Sequence, residues 1–139
     1  MVLFFSVPFA QSFYKKNQLQ QVADEIKTAI HTAKMQALLR HDKLVLSPLT
    51  GFTDWSKGML LFVDNAKHHY SQKDKLLHEW HWTPKGIQVS WHGFQSKDYL
   101  LFATDLSCST TNGYFMIKNN LQQVKLVINR VGRVKQDAL

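Results

Sequence analysis

The sequence is short of several residues and patterns on which common protein classes depend. It has 139 residues but one cysteine, so it can form neither an internal disulfide nor a zinc site built from cysteines. Its six glycines are too scattered to form a glycine-rich phosphate loop. The apolar N-terminal stretch, residues 1–10, is well short of the roughly 20 residues that a membrane-spanning helix needs, and it lacks the basic start of a secretory signal.

Acidic residues are also few, and the excess of positive charge is concentrated near the C-terminus. Seventeen Lys and Arg oppose ten Asp and Glu, which gives a net charge of +7 and a pI near 9.6. This balance indicates an anionic partner, such as nucleic acid or a membrane surface, unless the cations only keep the surface soluble. Residues 118–139 set five cations against the single acidic residue Asp137: Lys118, Lys125, Arg130, Arg133 and Lys135.

An amphipathic pattern predicts one long helix from about residue 9 to 41. At about 1.5 Å per residue this helix would be roughly 50 Å long and would protrude from a domain about 35–40 Å across. We interpret residues 1–8 as the remnant of a longer apolar helix, with a short segment tucked into the core as the alternative. The helix carries an apolar stripe at spacings of three and four, which we interpret as an assembly surface: Leu19, Val22, Ile26, Ile30, Ala33 and Ala37.

After the helix the hydrophobic period changes to two, which predicts six or seven strands between residues 43 and 131. One helix followed only by strands indicates a single α+β domain over residues 9–139, with the helix packed on antiparallel sheet.

Three local predictions follow from the strand pattern. In residues 76–82, side chains should alternate between the two faces of a strand. Asn112-Gly113 predicts a hairpin turn. The last strand is expected over residues 123–131, after which Gly132 lets a basic tail, residues 132–139, leave the sheet.

The residues that could carry catalysis are poorly arranged for it. His68 and His69 are neighbours in a polar loop, and His78 and His81 are expected on opposite faces of a strand, so neither pair chelates one metal ion locally. Cys108 has no nearby histidine that would activate its thiol. We expect no catalytic residue, no bound metal and no cofactor, and therefore a protein that is not an enzyme.

Five segments occur in an order that is typical of one family. VPFAQSF (7–13) resembles the family's proline segment after the membrane helix, LQQVADEI (19–26) resembles the helix that follows, and TAKMQALLR (32–40) resembles a stretch usually written ARSEAIRR. WSKGMLLFVD (55–64) resembles a WxxGWxVFxD strand. The fifth, NGYF (112–115) together with VINRVGRV (127–134), resembles the last two strands. The chain thus resembles the GspH/FimT family of type IV pilin-like proteins, and most of all its FimT/FimU-type minor pilins. The resemblance implies a type IV pilin-like fold.

The sequence also departs from the family pattern. The prepilin cleavage glycine followed by FTLIE is missing, and with it the glutamate that pairs with a neighbouring subunit; we interpret this as N-terminal truncation. Many relatives have a cysteine near the first strand and another near the penultimate one. Ser47 and Lys118 occupy roughly those places here, so that disulfide is absent.

The resemblance implies two competing functions. FimT-like minor pilins assemble with other pilins, and some bind incoming DNA in natural transformation through a basic C-terminal GRxR motif. Such a protein is held in the bacterial inner membrane by its apolar helix, with its domain in the periplasm, before it joins a cell-surface pilus. The alternative is a type II secretion minor pseudopilin (GspH-like), which acts structurally at the pseudopilus tip without binding DNA.

The corresponding tetrad here is Gly132-Arg133-Val134-Lys135, in which Lys replaces the second Arg. Lys keeps the charge but loses the bidentate geometry with which Arg binds a phosphate. The predicted DNA-binding residues contact phosphates without reading the base sequence: Arg130, Gly132, Arg133 and Lys135, with Lys125 and Lys118 extending the patch.

Overall fold

The computed structural model describes residues 3–49, 54–82, 86–94, 96, 98–104 and 111–138, with side chains from residue 17 to 137 within these ranges. It consists of one helix and eight strands: α1 Leu3–Arg40, β1 Leu44–Pro48, β2 Gly58–Val63, β3 Leu76–His81, β4 Gln88–Gly93, β5 Leu100–Phe102, β6 Gly113–Lys118, β7 Gln123–Ile128 and β8 Val134–Ala138. The α+β prediction is confirmed, although the described residues hold eight strands rather than six or seven.

The strands form two antiparallel sheets of four strands each. The first sheet has the order β3-β2-β1-β5, and the second sheet has the order β4-β6-β7-β8. α1 lies against β1 and β5 of the first sheet and against β6 and β7 of the second. One helix therefore closes the core that both sheets share.

The long helix was correctly predicted from its periodicity. α1 has 38 residues, which corresponds to about 57 Å. It ends at Arg40, and the next residue, His41, adopts a left-handed conformation with φ of 55° that stops the helix. Among the described residues, no helix is both long enough and apolar enough to cross a membrane.

The apolar stripe of α1 faces the domain's own core. Its six side chains are at most 1% exposed, because both sheets cover them. In this structure these side chains are not available to a neighbouring subunit, so the interpretation of the stripe as an assembly surface is corrected to a core surface. The six residues of the stripe are Leu19, Val22, Ile26, Ile30, Ala33 and Ala37.

Aromatic side chains fill the space between α1 and the second sheet. The Phe115 ring meets Trp55 edge-on at a centroid distance of 5.3 Å and meets Trp91 at 4.6 Å. The indole N–H of Trp82 donates to the Trp55 carbonyl at 2.8 Å, which satisfies a buried polar group. The strand tryptophans Trp82 and Trp91 are thus core residues.

The C-terminal segment does not leave the sheet as predicted. β7 ends at Ile128, the chain turns through residues 129–133, and β8 then pairs antiparallel with β7 from Ile128↔Val134 to Val124↔Ala138. Gly132, with φ of +83°, makes this turn possible rather than releasing a free tail. The predicted tail is therefore an edge strand.

β3 does not alternate as predicted. Its pairing with β2 shifts between Leu61↔His78 and Phe62↔Leu76, so that Leu77 is an extra residue in the ladder. Leu77 and Trp80 consequently both pack against the core although they are three residues apart. A bulge of this kind leaves no trace in a simple alternation of apolar residues.

The hairpin predicted at Asn112-Gly113 is wrong. Gly113 is the first residue of β6, and β4 and β7 occupy both edges of β6 along its whole length. A strand that preceded Asn112 therefore has no free edge of β6 with which to pair. Residues 105–110, including Cys108, lie outside the described residues.

Truncating the stripe should destabilise this domain by itself. Ile30 is fully buried, so Ile30→Ala is expected to lower the free energy of unfolding by about 2–5 kcal/mol in a urea titration. Leu39, on the same helix, is 69% exposed, and Leu39→Ala should change that free energy by no more than about 0.5 kcal/mol. Equally small changes for both variants would contradict the packing of the stripe against the sheets.

Candidate nucleic-acid interface

The turn between β7 and β8 is held in one conformation by Asn129. Its side-chain Oδ1 accepts hydrogen bonds from the backbone N–H groups of Val131 at 3.0 Å and Arg133 at 2.9 Å. Its backbone N–H donates to the Arg133 carbonyl at 3.1 Å, and its carbonyl accepts from the Gly132 N–H at 2.9 Å. Thr111 Oγ1 adds a bond to the Asn129 carbonyl at 2.8 Å. The cations on the turn are therefore displayed on a fixed backbone.

The turn lies against the exposed side of α1. A Cβ placed on Gly132 would stand 3.3 Å from Cδ of Lys34, so the glycine lets the lysine stem pack directly on the turn. Between the helix and the turn runs a groove of about 310 Å³, which we call the helix–turn groove. It is lined by Lys27, Ile30, His31, Lys34, Gly132, Arg133 and Val134.

A cluster of amides fixes β8 to the helix beside this groove. Gln136 Nε2 donates to Gln20 Oε1 at 2.8 Å, and Gln20 Nε2 donates to Gln136 Oε1 at 3.1 Å. Lys27 Nζ donates to the same Gln136 oxygen and lies 3.7 Å from Asp24 Oδ1. Because its ammonium is already engaged by an amide and a carboxylate, Lys27 braces the groove more than it supplies free charge.

Two cations of the groove that form no salt bridge among the described residues, Arg133 and Lys34, come from distant parts of the sequence. Arg133 is exposed on the turn, and His31 is exposed on α1 beside the half-buried Lys34. Arg130 lies on the other side of the turn, at a smaller cleft of about 50 Å³ that it shares with Lys34 and Gly132. Lys34 thus lines both clefts, one together with each arginine.

Sequence reasoning missed the helix residues of this site. Lys27, His31 and Lys34 follow at spacings of four and three, which places them on one helix face. That spacing was the available signal, but it does not say which strand the face meets. Only the return of β8 onto β7 brings the turn to this face.

The remaining predicted cations lie elsewhere. Cross-strand pairing puts Lys118, Lys125 and Lys135 on the face of the second sheet that points away from α1. The structure therefore divides the predicted DNA-binding residues into two groups. Arg130, Gly132 and Arg133 join the helix, whereas the three lysines occupy the outer face of the sheet.

A second groove, of about 440 Å³, lies between α1 and Trp80 and has the opposite charge. It contains Asp24 and Glu25, and burial raises the pKa of the Glu25 carboxyl above its ordinary value. Among the described residues, Glu25 Oε2 has no hydrogen-bond partner. Its carboxylates would repel phosphates, so this groove is not a candidate for binding nucleic acid.

The neighbouring histidines His68 and His69 pair with carboxylates rather than with one another. His68 Nδ1 lies 2.6 Å from Asp64 Oδ1, and His69 Nε2 lies 3.3 Å from Asp98 Oδ2. Within the described ranges, no group of three or more His, Cys, Asp or Glu side chains is arranged to hold a metal ion.

Comparison with known proteins identifies the family. The family model described as Type II transport protein GspH matches residues 22–132, which is most of the chain. The chain belongs to the GspH family. This GspH-family protein shares its fold with the type IV minor pilin FimU of Pseudomonas aeruginosa (strain PAO1), at a TM-score of 0.68 and 18% identity over 90% of this chain and 92% of the FimU chain.

A second crystal form of FimU gives a TM-score of 0.63 and 16% identity, over 85% of this chain and 91% of that chain. A comparison with curated proteins gives no significant match. The family and the pilin-like fold are thus those that the sequence motifs predicted. Proteins of this kind are subunits of pili or pseudopili and are generally not enzymes.

The left-handed conformation at Gly132 should make the turn sensitive to substitution. Gly132→Ala is expected to lower the free energy of unfolding by about 1 kcal/mol, because a Cβ is disfavoured at a φ of +83° and would displace Lys34. Gly132→Asn should cost less, since Asn tolerates this conformation better. Chemical denaturation of both variants measures the difference, and an Asn variant as unstable as the Ala variant would contradict this account of the turn.

Proposed function

We propose that this protein is a FimT-like minor pilin of a type IV pilus machinery that binds DNA without sequence preference during natural transformation. The observation that carries the proposal is the meeting of Lys34 with Arg130 and Arg133 around the ordered turn. Cations from two elements converge there on a surface that has a groove and no carboxylate among its lining residues.

The chemistry of the site fits the phosphate backbone. The guanidinium groups of Arg130 and Arg133 can each donate two hydrogen bonds to a phosphate, and Lys34 adds a point charge beside them. Gly132 lets the stem of Lys34 pack directly on the turn that carries the arginines. Such contacts give affinity but carry no information about base sequence.

The structure changes the interpretation of the basic tetrad Gly132-Arg133-Val134-Lys135. Val134 packs against the core, so its neighbour on β8, Lys135, points to the outer face of the sheet and away from the helix–turn groove. The position that the family fills with its second arginine therefore does not serve the groove in this chain. Lys34 of α1 is the third cation there.

We further propose that the described domain lies in the periplasm before assembly and joins other pilins at the cell surface. Residues 1–8 would belong to the apolar helix that enters the inner membrane and later the filament, and residues 9–139 would form the globular part. The supporting observation is that α1 begins at Leu3 without interruption before the core-facing stripe.

A second candidate function is a structural subunit at the tip of a type II secretion pseudopilus. The description of the matching family model as a type II transport protein favours it. In that role the domain would act through contacts with other pseudopilins, and the cations of the turn would only be solvated.

Duplex binding measured at several salt concentrations tests the proposal. Three phosphate contacts predict a slope of log K against log salt of about −2.7, and the double variant Lys34→Gln, Arg133→Gln should reduce it to about −0.9. The matched control is the double variant Lys67→Gln, Lys75→Gln, which removes two exposed cations between β2 and β3.

The control variant should bind duplex DNA with the slope of the unaltered protein. A slope near zero for the unaltered protein would overturn the DNA-binding function and favour the purely structural subunit. Equal losses in the two double variants would overturn the helix–turn groove as the site of binding.

A further inference from the structure

Three aromatic side chains point outward at one end of the β4–β6 pair: Phe94, His92 and Tyr114. Phe94 is 81% exposed, the highest value among the large hydrophobic side chains of the described residues. A ring this exposed adds little to the packing of the described residues. We call these three rings the aromatic platform.

A core tryptophan explains why the rings point outward. Trp91 lies in the core, and its indole fills the space beside Gly93 and Gly113. A Cβ on Gly93 would stand 2.6 Å from Nε1 of that indole, and a Cβ on Gly113 would stand 2.8 Å from its Cη2. Gly93 and Gly113 therefore face inward opposite each other, and alternation turns Phe94 and Tyr114 outward. The Phe94 N–H donates to the Asn112 carbonyl at 3.1 Å, so a backbone hydrogen bond joins the two segments one residue beyond the end of β4.

The platform is ordered by its own contacts. His92 and Tyr114 are cross-strand partners whose rings stack at a centroid distance of 4.7 Å and an interplanar angle of 15°. Ser90 Oγ lies 3.1 Å from His92 Nε2, and Lys125 Nζ lies 4.3 Å from the centroid of the Tyr114 ring. Phe94 is two residues from His92 on the same side, which is about 7 Å along a strand.

Three lysines lie on the same outer face of the second sheet. Lys118, Lys125 and Lys135 occupy diagonal positions on β6, β7 and β8, about 7–8 Å apart from one strand to the next. One acidic side chain, Asp137, lies opposite Lys125. Rings and cations thus share one side of the sheet, the side that faces away from the helix–turn groove.

We propose that this face is a binding surface for single-stranded DNA. Exposed bases stack on aromatic rings while lysines contact the phosphates, a combination that serves single strands of any sequence. Duplex DNA has its bases stacked inside the helix and cannot use the rings in this way. The inference rests on the proposed DNA-binding function and assigns to the protein a second, strand-selective surface beside the groove.

Fluorescence anisotropy with three labelled probes tests the inference on the whole chain. The probes are an oligothymidylate of about 12 nucleotides, an abasic strand of the same length, and a duplex. The unaltered protein should bind oligothymidylate more tightly than the abasic strand. Phe94→Ala and His92→Ala should each weaken oligothymidylate binding by about five-fold or more, and neither should change the affinity for the abasic strand or the duplex.

Leu121→Ala is the matched control, because Leu121 is 60% exposed at the turn between β6 and β7 and lies outside the platform. It should leave the affinities for all three probes unchanged. Equal binding of oligothymidylate and abasic strand, or unaltered oligothymidylate binding by Phe94→Ala, would overturn the inference. A third outcome would also overturn the inference: a Phe94→Ala variant that differs from the unaltered protein only by weaker self-association in analytical ultracentrifugation. The Phe94 ring would then be a contact between subunits.

The two proposals can fail separately. If the duplex binds through the helix–turn groove but the platform variants bind oligothymidylate like the unaltered protein, only the platform inference fails. If neither the duplex nor the oligothymidylate binds, the DNA-binding function fails and the platform inference fails with it.

Discussion

The pairing of β8 with β7 is the interaction on which the functional surfaces depend. It turns a basic C-terminal segment into an edge strand and sets the five-residue turn against α1. The Asn129 side chain closes that turn, and the reciprocal amide bonds between Gln20 and Gln136 hold the strand to the helix. Without this pairing, Arg133 would have no fixed relation to Lys34, and the helix–turn groove would not exist.

The same strand pairing separates the positive charge into two surfaces. Residues that alternate along β7 and β8 face either the helix or the solvent beyond the sheet, so the cations of one segment divide between two sides. The groove side combines the arginines of the turn with Lys34, a geometry suited to the phosphates of a duplex. The outer side combines Lys118, Lys125 and Lys135 with exposed rings, a geometry suited to unpaired bases. A net charge of +7 is thus organised by the fold rather than spread evenly.

Much of the fold could be predicted from the sequence because its strongest signals are periodic. The stripe from Leu19 to Ala37 has a helical period, and Val124, Leu126 and Ile128 of β7 recur at every second position, so these element types and core residues follow directly. The bulge at Leu77 was not predictable in this way, since it depends on the partner strand. The return of β8 was missed because Gly132 is equally compatible with a chain end and with a tight turn.

The candidate site could be predicted only in part for the same reason. Arg130 and Arg133 were visible as a local cluster, whereas Lys34 is about a hundred residues away and joins them only through the tertiary pairing. Phe94 gave no signal at all, because an isolated aromatic residue after a strand is more often buried than exposed. Its orientation follows from the space that Trp91 needs between two glycines.

The most direct test of the central claim is an NMR titration of the ¹⁵N-labelled protein with a short duplex. The account predicts that the largest amide shift changes fall together in two segments, residues 30–34 of α1 and residues 129–134 of the turn, and saturate at the same duplex concentration. Changes confined to the turn, or changes centred on the first sheet, would show that the helix and the turn do not form one DNA-binding surface.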